Sequence, residues 1–484
     1  MLKSYRRTKI VATVGPACET PERLNALIEA GVDVFRLNFS HGDHAGKAAV
    51  IGLIKELSQR HARAVAILAD LQGPKIRTGR MQGGALKLTT GSEVIVTTRD
   101  VLGEGNLIPT IYQGLPNDVG PGDRILLDDG LMELRVLAVE GQEVRCRVVT
   151  GGILKDRKGM NLPGAQVSAP ALTEKDREDL EFCIGQELDY IALSFVRQPT
   201  DVLELKGLLR ARNSELRVIA KIEKPEAVTN FDAILEASDG IMVARGDLGV
   251  EINPEKVPLI QKRIIRACNQ AGKPVITATQ MLESMVHNPR PTRAETSDVA
   301  NAILDGTDAV MLSAETASGD YPVEAVYMMV QVAADVEGDP GLKAQVFRTA
   351  AENGEVLLAE VIGQAACRVA ESVNAAAILA FTQTGSTAAL VSKYRPLVPI
   401  VAVTPYQKVR RRLALYAGVH SLRVDIEGDT EAQIRSVEEA VLATGSFTSG
   451  DVVVITMGSP LSSPGTTNLM KVHQLAASSP KTPL

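Results

Sequence analysis

Eight short apolar runs, separated by amphipathic segments of helical length, restrict the folds open to this chain more than any other feature. The runs are KIVATVGP, DVFRLNFSHG, AVAILADLQGPK, YIALSFV, RVIAKIEKPE, GIMVARGDLG, PVITATQM and AVMLSAETASG. Between them, KVPLIQKRIIRACNQAG repeats apolar residues at spacings of three and four and stops at Gly272. Eight such units favour an α/β fold, a closed (β/α)8 TIM barrel whose catalytic groups lie at the carboxyl ends of the strands.

The third unit is interrupted after Lys75 by segments with a period of two. LMELRVLAV and VRCRVV alternate apolar and charged residues, and Asp129-Gly130 has the sequence of a hairpin turn. Residues 74–168 are therefore predicted to form an all-β domain inserted into a barrel made of residues 1–73 and 169–340. An insertion at the carboxyl face of a barrel can close over the active site as a lid.

A second α/β pattern occupies residues 341–484. Its predicted strands are AAILAF, PIVAV, HSLRVDI and DVVVITMG, with helical segments between them. This pattern predicts a separate open-sheet C-terminal domain, joined to the barrel by a linker around Pro340. The Ser- and Pro-rich end, SSPKTPL, is expected to be frayed.

Composition excludes several classes of protein. The length of 484 residues suits about three domains. A net charge of −6 argues against non-specific nucleic-acid binding, and no run approaches the roughly 18 apolar residues of a membrane span. The first residues lack a secretory apolar region, and the five cysteines never form a CxxC pair. We therefore expect a cytoplasmic protein with reduced, mostly buried thiols.

Charged residues at the ends of two successive strands give the strongest indication of chemistry. Lys221 and Glu223 end the fifth run, and Arg245 and Asp247 end the sixth. On neighbouring parallel strands, they would place two carboxylates and an amine in one pocket. Two carboxylates with open coordination positions suit Mg²⁺, with Mn²⁺ as a possible substitute. An amine beside such a metal can stabilise anionic oxygens as charge moves.

Eight motifs, in this order, closely resemble those of the pyruvate kinase family. They are RLNFSHG, DLQGPKIRTG, KGMNLPG, KIEKPEAV, MVARGDLGVEI, ATQMLESM, PTRAE and MLSAETASGDYP. The resemblance covers nearly the whole chain. It implies phosphoryl transfer from phosphoenolpyruvate to ADP, which gives pyruvate and ATP in the last step of glycolysis. It also implies a Mg²⁺ cofactor and a cytoplasmic homotetramer.

The resemblance assigns roles to individual residues at the barrel mouth. Glu223 and Asp247 resemble the metal ligands, Lys221 the group that stabilises the transferring phosphoryl and the enolate, and Arg36 the phosphoryl-binding arginine. Thr279 resembles the residue near C3 of the enolate; since a threonine is a weak acid, we expect it to orient a water. Ordinary explanations, such as ion pairing by Lys221 or strand propensity for Thr279, stay open.

Further residues complete the predicted site. A proton must be delivered to C3 of the enolate, and Ser313 and Glu315 could support its transfer through the water at Thr279. A purely structural role for these two residues is equally well supported. Backbone N–H groups at Gly246 and Asp247 could hold the substrate carboxylate at the start of a helix. For ADP, the resemblance points to three residues around the mouth, namely His41, Arg77 and Lys158.

This chain departs from the potassium-requiring members of the family. In those members the monovalent cation is held by residues corresponding to Asn38, Ser40, Asp70 and the carbonyl of Leu71. Where they carry Thr, Lys and Glu, this chain has Leu71, Gln72 and Lys75. Our hypothesis is that the Lys75 ammonium pairs with Asp70 in place of the cation, so that activity does not require K⁺. At roughly 4 Å each unit charge would contribute about 4 kcal/mol.

The C-terminal domain carries a hydroxyl-rich turn where the family binds its phosphorylated effector. The residues that could surround a phosphate are Thr382, Thr384, Gly385, Ser386 and Thr387. An ordinary helix N-cap is the alternative. Gln383 and Ser386 stand where bisphosphate-regulated members have basic residues, and the later loop GSPLSSPGTTNLMKV offers only Lys471. We therefore predict activation by a sugar monophosphate or AMP.

Two other functions remain open from the sequence. A metal-dependent C–C lyase acting on pyruvate-type acids would use the same barrel, metal and arginine, but would not need the inserted domain or Lys158. A non-catalytic metabolite-binding regulator could keep the fold, although the presence of Lys221, Glu223 and Asp247 argues against it.

Overall fold

The computed structural model describes residues 5–339, 357–425, 428–458 and 467–476. Its first part alternates strands and helices as predicted. The elements are β1 (Lys9–Val14), α1 (Pro21–Ala30), β2 (Val34–Asn38), α2 (His44–Arg60) and β3 (Ala66–Asp70). All three strands are parallel neighbours in the order β1-β2-β3.

An all-β unit follows β3. Its elements are β4 (Ala85–Leu88), β5 (Glu93–Thr97), β6 (Leu107–Pro109), α3 (Leu115–Asp118), β7 (Arg124–Leu127), β8 (Met132–Glu140), β9 (Glu143–Thr150), β10 (Gly152–Lys155) and β11 (Met160–Asn161). Six strands form a sheet in the order β11-β7-β8-β9-β5-β6, and β10 pairs with β4. Asp129 adopts a positive φ of 54° in the turn between β7 and β8, as the hairpin prediction requires.

The chain then returns to the barrel. Its elements are α4 (Glu174–Gly185), β12 (Tyr190–Leu193), α5 (Pro199–Ala211), β13 (Arg217–Ile222), α6 (Pro225–Thr229), α7 (Phe231–Ala237), β14 (Gly240–Ala244), α8 (Arg245–Glu251), α9 (Val257–Ala271), β15 (Val275–Ala278), α10 (Arg293–Leu304), β16 (Ala309–Leu312), α11 (Ala314–Ala317) and α12 (Pro322–Gly338). Eight parallel strands close in the order β1-β16-β15-β14-β13-β12-β3-β2, which confirms the predicted barrel.

The C-terminal part is an open sheet flanked by helices. Its elements are α13 (Leu358–Ser372), β17 (Ala377–Phe381), α14 (Ser386–Lys393), β18 (Ile400–Thr404), α15 (Gln407–Leu413), β19 (Val419–Arg423), α16 (Thr430–Ala443), β20 (Val452–Met457) and β21 (Leu469–Gln474). Four strands were predicted; the antiparallel edge strand β21 was not. The predicted linker at Pro340 and the Ser- and Pro-rich end lie outside the described residues, and the domain boundaries stay predictions.

The C-terminal domain closes the amino end of the barrel. Leu415, just after α15, is completely buried and joins the apolar core inside the strands. Buried ion pairs flank this contact: Arg395 to Asp308 at 2.7 Å and Arg411 to Asp189 at 2.9 Å. The opposite, carboxyl end of the barrel is thus the only end left for a substrate within the part of the chain described.

Two composition-based expectations can be compared with the structure. Cys18, Cys146, Cys183, Cys268 and Cys367 are all free and buried, in agreement with the expected reduced thiols. Among the described residues, none of the helices is both long and apolar enough to span a bilayer.

Candidate active site

The residues predicted to act on the substrate converge at the carboxyl end of the barrel. They lie on or directly after successive strands: Arg36 on β2, Asp70 on β3, Lys221 and Glu223 at β13, Gly246 and Asp247 after β14, Thr279 after β15, and Ser313 after β16. The period of two along β13 explains the orientation of Lys221. Ile219 points into the barrel, Val218 and Ala220 point outward, and Lys221 follows Ile219 on the inner side.

Lys221 lies at the centre of a buried polar cluster. Its Nζ is 2.8 Å from Glu223 Oε1, 2.8 Å from Ser194 Oγ and 3.3 Å from Asp70 Oδ1. Burial alone would lower the pKa of Lys221, but the carboxylates of Asp70, Glu223 and Asp247 outweigh it and raise that pKa well above its ordinary value. The ammonium therefore stays charged at any physiological pH.

Arg36 is fixed by the same carboxylate. Its Nε and Nη2 lie 2.7 and 2.6 Å from Asp70 Oδ2, and its Nη1 donates to Thr13 Oγ1 at 3.1 Å. Burial would raise the pKa of Asp70, but Lys221 and Arg36 lower it below its ordinary value. Asp70 thus holds two cations side by side at the barrel mouth, in an arrangement suited to an anionic phosphoryl group.

Glu223 and Asp247 form the predicted carboxylate pair. Glu223 Oε2 accepts a hydrogen bond of 2.9 Å from the Phe195 N–H, which leaves Asp247 as the freer carboxylate. The Asp247 side chain is exposed to the cavity that it lines, although neighbouring protein atoms displace water from its other sides. This partial desolvation and the nearby Glu223 raise the pKa of Asp247 to about 6.

A divalent cation fits this pair. The repulsion between the two carboxylates, visible in the raised pKa of Asp247, is what such a cation would relieve. Among the described residues, no group of three or more His, Cys, Asp or Glu side chains converges on one point. Two carboxylates with the remaining positions left to substrate oxygens and water suit Mg²⁺, which keeps several waters.

Thr279 occupies a strained backbone position. Its φ of 68° is unusual for a β-branched residue, and Gln280 after it has a φ of 53°. Arg245 holds this turn by donating to the Thr279 carbonyl at 2.7 Å. Thr279 Oγ1 donates to the Ala278 carbonyl at 2.6 Å and accepts from the Gly246 N–H at 2.7 Å. The hydroxyl proton is therefore already committed, and the oxygen can still accept from a water.

The hydrogen bond between Gly246 and Thr279 affects the site expected for the substrate carboxylate. The Gly246 N–H is taken up by Thr279 Oγ1 rather than turned toward a ligand. Gly246 and Asp247 nevertheless line one cavity of about 800 Å³ together with Thr279 and Ser313. Ser313 Oγ is buried without a hydrogen-bond partner within the described structure, so it is free to bind a water or a ligand there. Glu315 accepts from the Ser313 N–H at 2.6 Å and supports that loop.

The predicted pairing of Lys75 with Asp70 is wrong in this structure. Lys75 is exposed, five residues beyond the end of β3, and both Asp70 oxygens lie against Arg36 and Lys221 instead. The other expected monovalent-cation ligands are also engaged. Asn38 Oδ1 accepts from the Ser40 N–H at 3.0 Å. The Leu71 carbonyl accepts from Ser194 Oγ at 2.8 Å.

The nucleotide candidates lie around the mouth. His41 is exposed on the loop after β2, and the segments holding Arg77 and Lys158 are adjacent, since the Thr78 N–H donates to the Lys158 carbonyl at 2.9 Å. Lys158 Nζ pairs with Asp128 at 2.8 Å. A cavity of about 870 Å³ in the inserted domain is lined by five basic residues, Lys75, Arg77, Arg80, Arg99 and Arg157.

The hydroxyl-rich turn of the C-terminal domain lies between β17 and α14. Gly385 takes a φ of 96°, and its N–H donates to Thr382 Oγ1 at 2.9 Å. Thr384 Oγ1 donates to Ser386 Oγ at 3.1 Å. Thr387 Oγ1 contacts Thr467 Oγ1 at 3.1 Å, so the turn adjoins the segment that leads into β21. Part of the later loop, residues 459–466, lies outside the described residues, and Lys471 lies on β21 beside Glu431.

Two residues of the site were missed by sequence reasoning. Ser194 accepts from Lys221, and Arg245 holds the Thr279 turn; Arg245 was noted only as part of the charged run. Ser194 lies within the run YIALSFV and directly follows β12, so the rule that polar residues at strand ends face the site could have identified it.

Known proteins similar to this chain match nearly its whole length. Residues 5–326 match the family described as pyruvate kinase, barrel domain, and residues 360–473 match pyruvate kinase, alpha/beta domain. A pyruvate kinase of Geobacillus stearothermophilus is 50% identical over 475 residues, which cover 97% of this chain and 81% of the relative. One from Staphylococcus aureus (strain MRSA252) is 48% identical over 470 residues, 97% of this chain and 80% of the relative. A crystal structure of a Cryptosporidium parvum pyruvate kinase superposes with a TM-score of 0.90 at 40% identity, covering 97% of this chain and 96% of that one. This chain belongs to the pyruvate kinase family.

Proposed function

We propose that Lys221 and Arg36 carry out the phosphoryl transfer from phosphoenolpyruvate to ADP that defines this family. The observation that carries the proposal is the shared anchor Asp70, which holds both cations within 3.3 Å of one buried carboxylate. Arg36 offers a planar fork for the phosphoryl oxygens, and Lys221 offers a point charge for the charge that develops on the enolate. Both donors are positioned before the substrate arrives, so little reorganisation is needed.

Proton delivery to C3 of the enolate is assigned to a water held by Thr279 and Ser313, and solvent in the cavity that they line replaces the proton that this water gives up. The Thr279 proton is committed to the Ala278 carbonyl, so its oxygen acts as an acceptor that orients the water. Ser313 Oγ has no competing partner among the described residues and can complete the contact. Asp247 lines the same cavity, with its N–H at the start of α8 as a candidate donor to the substrate carboxylate.

Glu223 and Asp247 are proposed to hold Mg²⁺, with Mn²⁺ as a substitute. When bound, the metal supplies positive charge that orients and neutralises substrate oxygens. His41, Arg77 and Lys158 are proposed to bind ADP, with the inserted domain closing over it. The adjacency of the Arg77 and Lys158 segments and the basic cavity beside Arg77 support this assignment.

We also propose that activity does not require K⁺. The two cations at Asp70, and the hydrogen bonds already made by Asn38 Oδ1 and the Leu71 carbonyl, support this proposal without the Lys75 pairing. Rates in a buffer free of sodium and potassium should match those with KCl added. Lys75→Glu should leave this insensitivity to KCl unchanged, because Lys75 is exposed and the Asp70 oxygens contact Arg36 and Lys221 instead. A steep requirement for KCl in the unchanged chain would contradict the proposal.

Activation by a sugar monophosphate or AMP is proposed for the turn Thr382–Thr387. Its support is the ring of hydroxyls at the start of α14 and the lack of basic side chains in that turn. Rates should be titrated with glucose 6-phosphate, ribose 5-phosphate, AMP and fructose 1,6-bisphosphate. A response to the bisphosphate alone would reject the proposal.

The assembly proposed is a homotetramer in the cytoplasm, where glycolytic relatives usually act. The exposed apolar side chains of Leu357, Leu358 and Val361 at α13 are consistent with burial against another subunit. Light scattering on the purified chain distinguishes a tetramer from smaller assemblies.

An assay that couples ATP formation to phosphoenolpyruvate and ADP separates the kinase from a C–C lyase of the same fold.

A further inference from the structure

A buried ion pair joins the two segments that carry the proposed metal carboxylates. Lys224 directly follows Glu223, and Glu251 ends α8 one helical turn after Asp247. Lys224 Nζ lies 2.6 Å from Glu251 Oε1, and the two side chains are only 5% and 1% exposed. The pair therefore connects the loop after β13 to α8 at a fixed distance.

Phe195 connects Lys224 to Glu223 by a second route. The Lys224 Nζ lies 4.8 Å from the centroid of the Phe195 ring, within the range of a cation–π contact. The Phe195 N–H donates to Glu223 Oε2 at 2.9 Å. Phe195 itself has a φ of 57°, a backbone conformation that needs support from its surroundings. Phe195 thus contacts Lys224 through its ring and Glu223 through its backbone N–H.

Glu251 is also held from the inserted domain. Asn161, on β11, donates its Nδ2 to Glu251 Oε1 at 2.8 Å, so one oxygen accepts from both Lys224 and Asn161. The other oxygen, Oε2, is buried without a hydrogen-bond partner in the described structure. Lys224 is the one charged group that balances this carboxylate in the contacts observed, and the carboxylate cannot turn without losing that balance.

The position of Asp247 depends on how α8 is held. This helix has only seven residues, and its N-cap residue, Ala244, provides no side-chain cap. Helices of this length are not stable on their own, so tertiary contacts must fix it. Leu248 is buried on one side, and Glu251 supplies the charged contact at the end of the helix. A loss of that contact would leave α8 held at its first turn, by Arg245 and Gly246, but free to shift at the end that carries Glu251.

We propose that Lys224 and Glu251 are positioning residues that set the spacing of Glu223 and Asp247 for metal binding. This proposal rests on the metal role proposed above for those two carboxylates. Groups that orient metal ligands without touching the metal commonly change metal affinity by about 10- to 100-fold when they are removed. A pair that served stability alone would lower the unfolding temperature and leave that affinity unchanged.

The test measures Mn²⁺ binding to the full chain without substrates, by the electron paramagnetic resonance signal of free Mn²⁺. Glu251→Gln and Lys224→Met should each weaken binding by about tenfold or more. Lys206→Met is the control for a lost lysine–carboxylate pair away from the site, because Lys206 pairs with Asp239 at 3.0 Å just before β14, at the far end of the barrel. It should bind Mn²⁺ as tightly as the unchanged chain. Equal binding by all three variants would overturn the proposal.

A double variant keeps the test decisive if the single variants fold poorly. Lys224→Met with Glu251→Gln removes both charges, so no buried charge remains unpaired and the unfolding temperature should recover. Mn²⁺ binding should stay weak, because the charged contact that spaces the carboxylates is still missing. Recovery of both properties would show that packing alone positions the ligands, and would overturn the proposal.

Asp247→Asn distinguishes a failure of the metal assignment from a failure of the positioning role. If Asp247→Asn binds Mn²⁺ like the unchanged chain, the metal assignment fails, and the positioning role fails with it. If Asp247→Asn weakens binding while the Lys224 and Glu251 variants do not, the metal site stands and only the positioning role is refuted.

Discussion

Asp70→Asn should damage both activity and stability, because one carboxylate anchors both cations of the site. Asp70 is 2% exposed in its side chain, with Arg36 at 2.6 Å and Lys221 at 3.3 Å. Removing one partner of a buried ion pair typically costs about 3–5 kcal/mol of stability. The charged hydrogen bond to Arg36 should contribute about 1.5–3 kcal/mol. If its loss displaces Arg36 from the phosphoryl group, kcat/KM falls by about 10- to 150-fold.

Asp308→Asn is the matched control for this prediction. Asp308 is also buried and paired with an arginine, Arg395, at 2.7 Å, but it lies at the amino end of the barrel. It should lower the unfolding temperature to a similar extent and leave kcat/KM nearly unchanged. Steady-state kinetics and thermal unfolding on the three proteins provide the comparison. An Asp70→Asn enzyme with kcat/KM within about twofold of the unchanged enzyme would refute the anchoring role.

The pH dependence of Asp70 has a defined sign. Its pKa is lowered in the folded chain, so its contribution to stability is complete above the unfolded value of about 3.9 and is lost as the pH falls below it. Asp70→Asn should remove this part of the acid destabilisation.

Three further predictions concern single groups. The pKa of Asp247 is raised to about 6, and the metal needs the ionised carboxylate. Below that pH, Mn²⁺ affinity should therefore approach a decrease of about tenfold per pH unit. Asp247→Asn should remove this pH dependence. Burial, with Lys9 nearby, lowers the pKa of His420 to about 3. Because the unfolded chain takes up this proton below about pH 6.5, stability should fall by up to 1.4 kcal/mol per unit from there toward pH 3, and His420→Gln should reduce the slope. Ser194→Ala removes the hydroxyl that Lys221 contacts at 2.8 Å, and should lower kcat by about tenfold while substrate KM changes little.

Each of the three predictions has a result that would contradict it. Mn²⁺ affinity that does not vary between about pH 5 and 7 would contradict the raised pKa of Asp247. Identical pH profiles of thermal unfolding for His420→Gln and the unchanged chain would show that His420 is not held neutral by burial. A Ser194→Ala enzyme whose KM rises while kcat is kept would place Ser194 in substrate binding rather than in positioning Lys221.

Features that arise from local periodicity could be predicted from the sequence. The alternation along β13 places Lys221 on the same inner side as Ile219, and the position of Asp247 three residues after the next strand brings it near Glu223. Strand-end residues on a barrel share one face, so the sequence alone could bring Arg36, Lys221 and Glu223 together.

The path of the chain beyond the strand ends, and the contacts between segments that are distant in sequence, could not be predicted. Lys75 is only five residues from Asp70, but the chain turns into the inserted domain and carries Lys75 to an exposed surface. The strand β21 forms because β20 offers it an edge, and its own residues alternate too weakly to indicate this. The ion pair of Lys224 and Glu251 joins segments 27 residues apart, a contact that only the packing of α8 creates.

The most direct test of the account measures ATP and pyruvate formed from phosphoenolpyruvate and ADP by the purified chain and by Lys221→Met. We expect the unchanged chain to form both products in equal amounts. Lys221→Met should lose about a hundredfold to a thousandfold in kcat while it still binds Mn²⁺, because Glu223 and Asp247 remain. Turnover by Lys221→Met within about tenfold of the unchanged chain, or no ATP from the unchanged chain, would contradict the role assigned to Lys221.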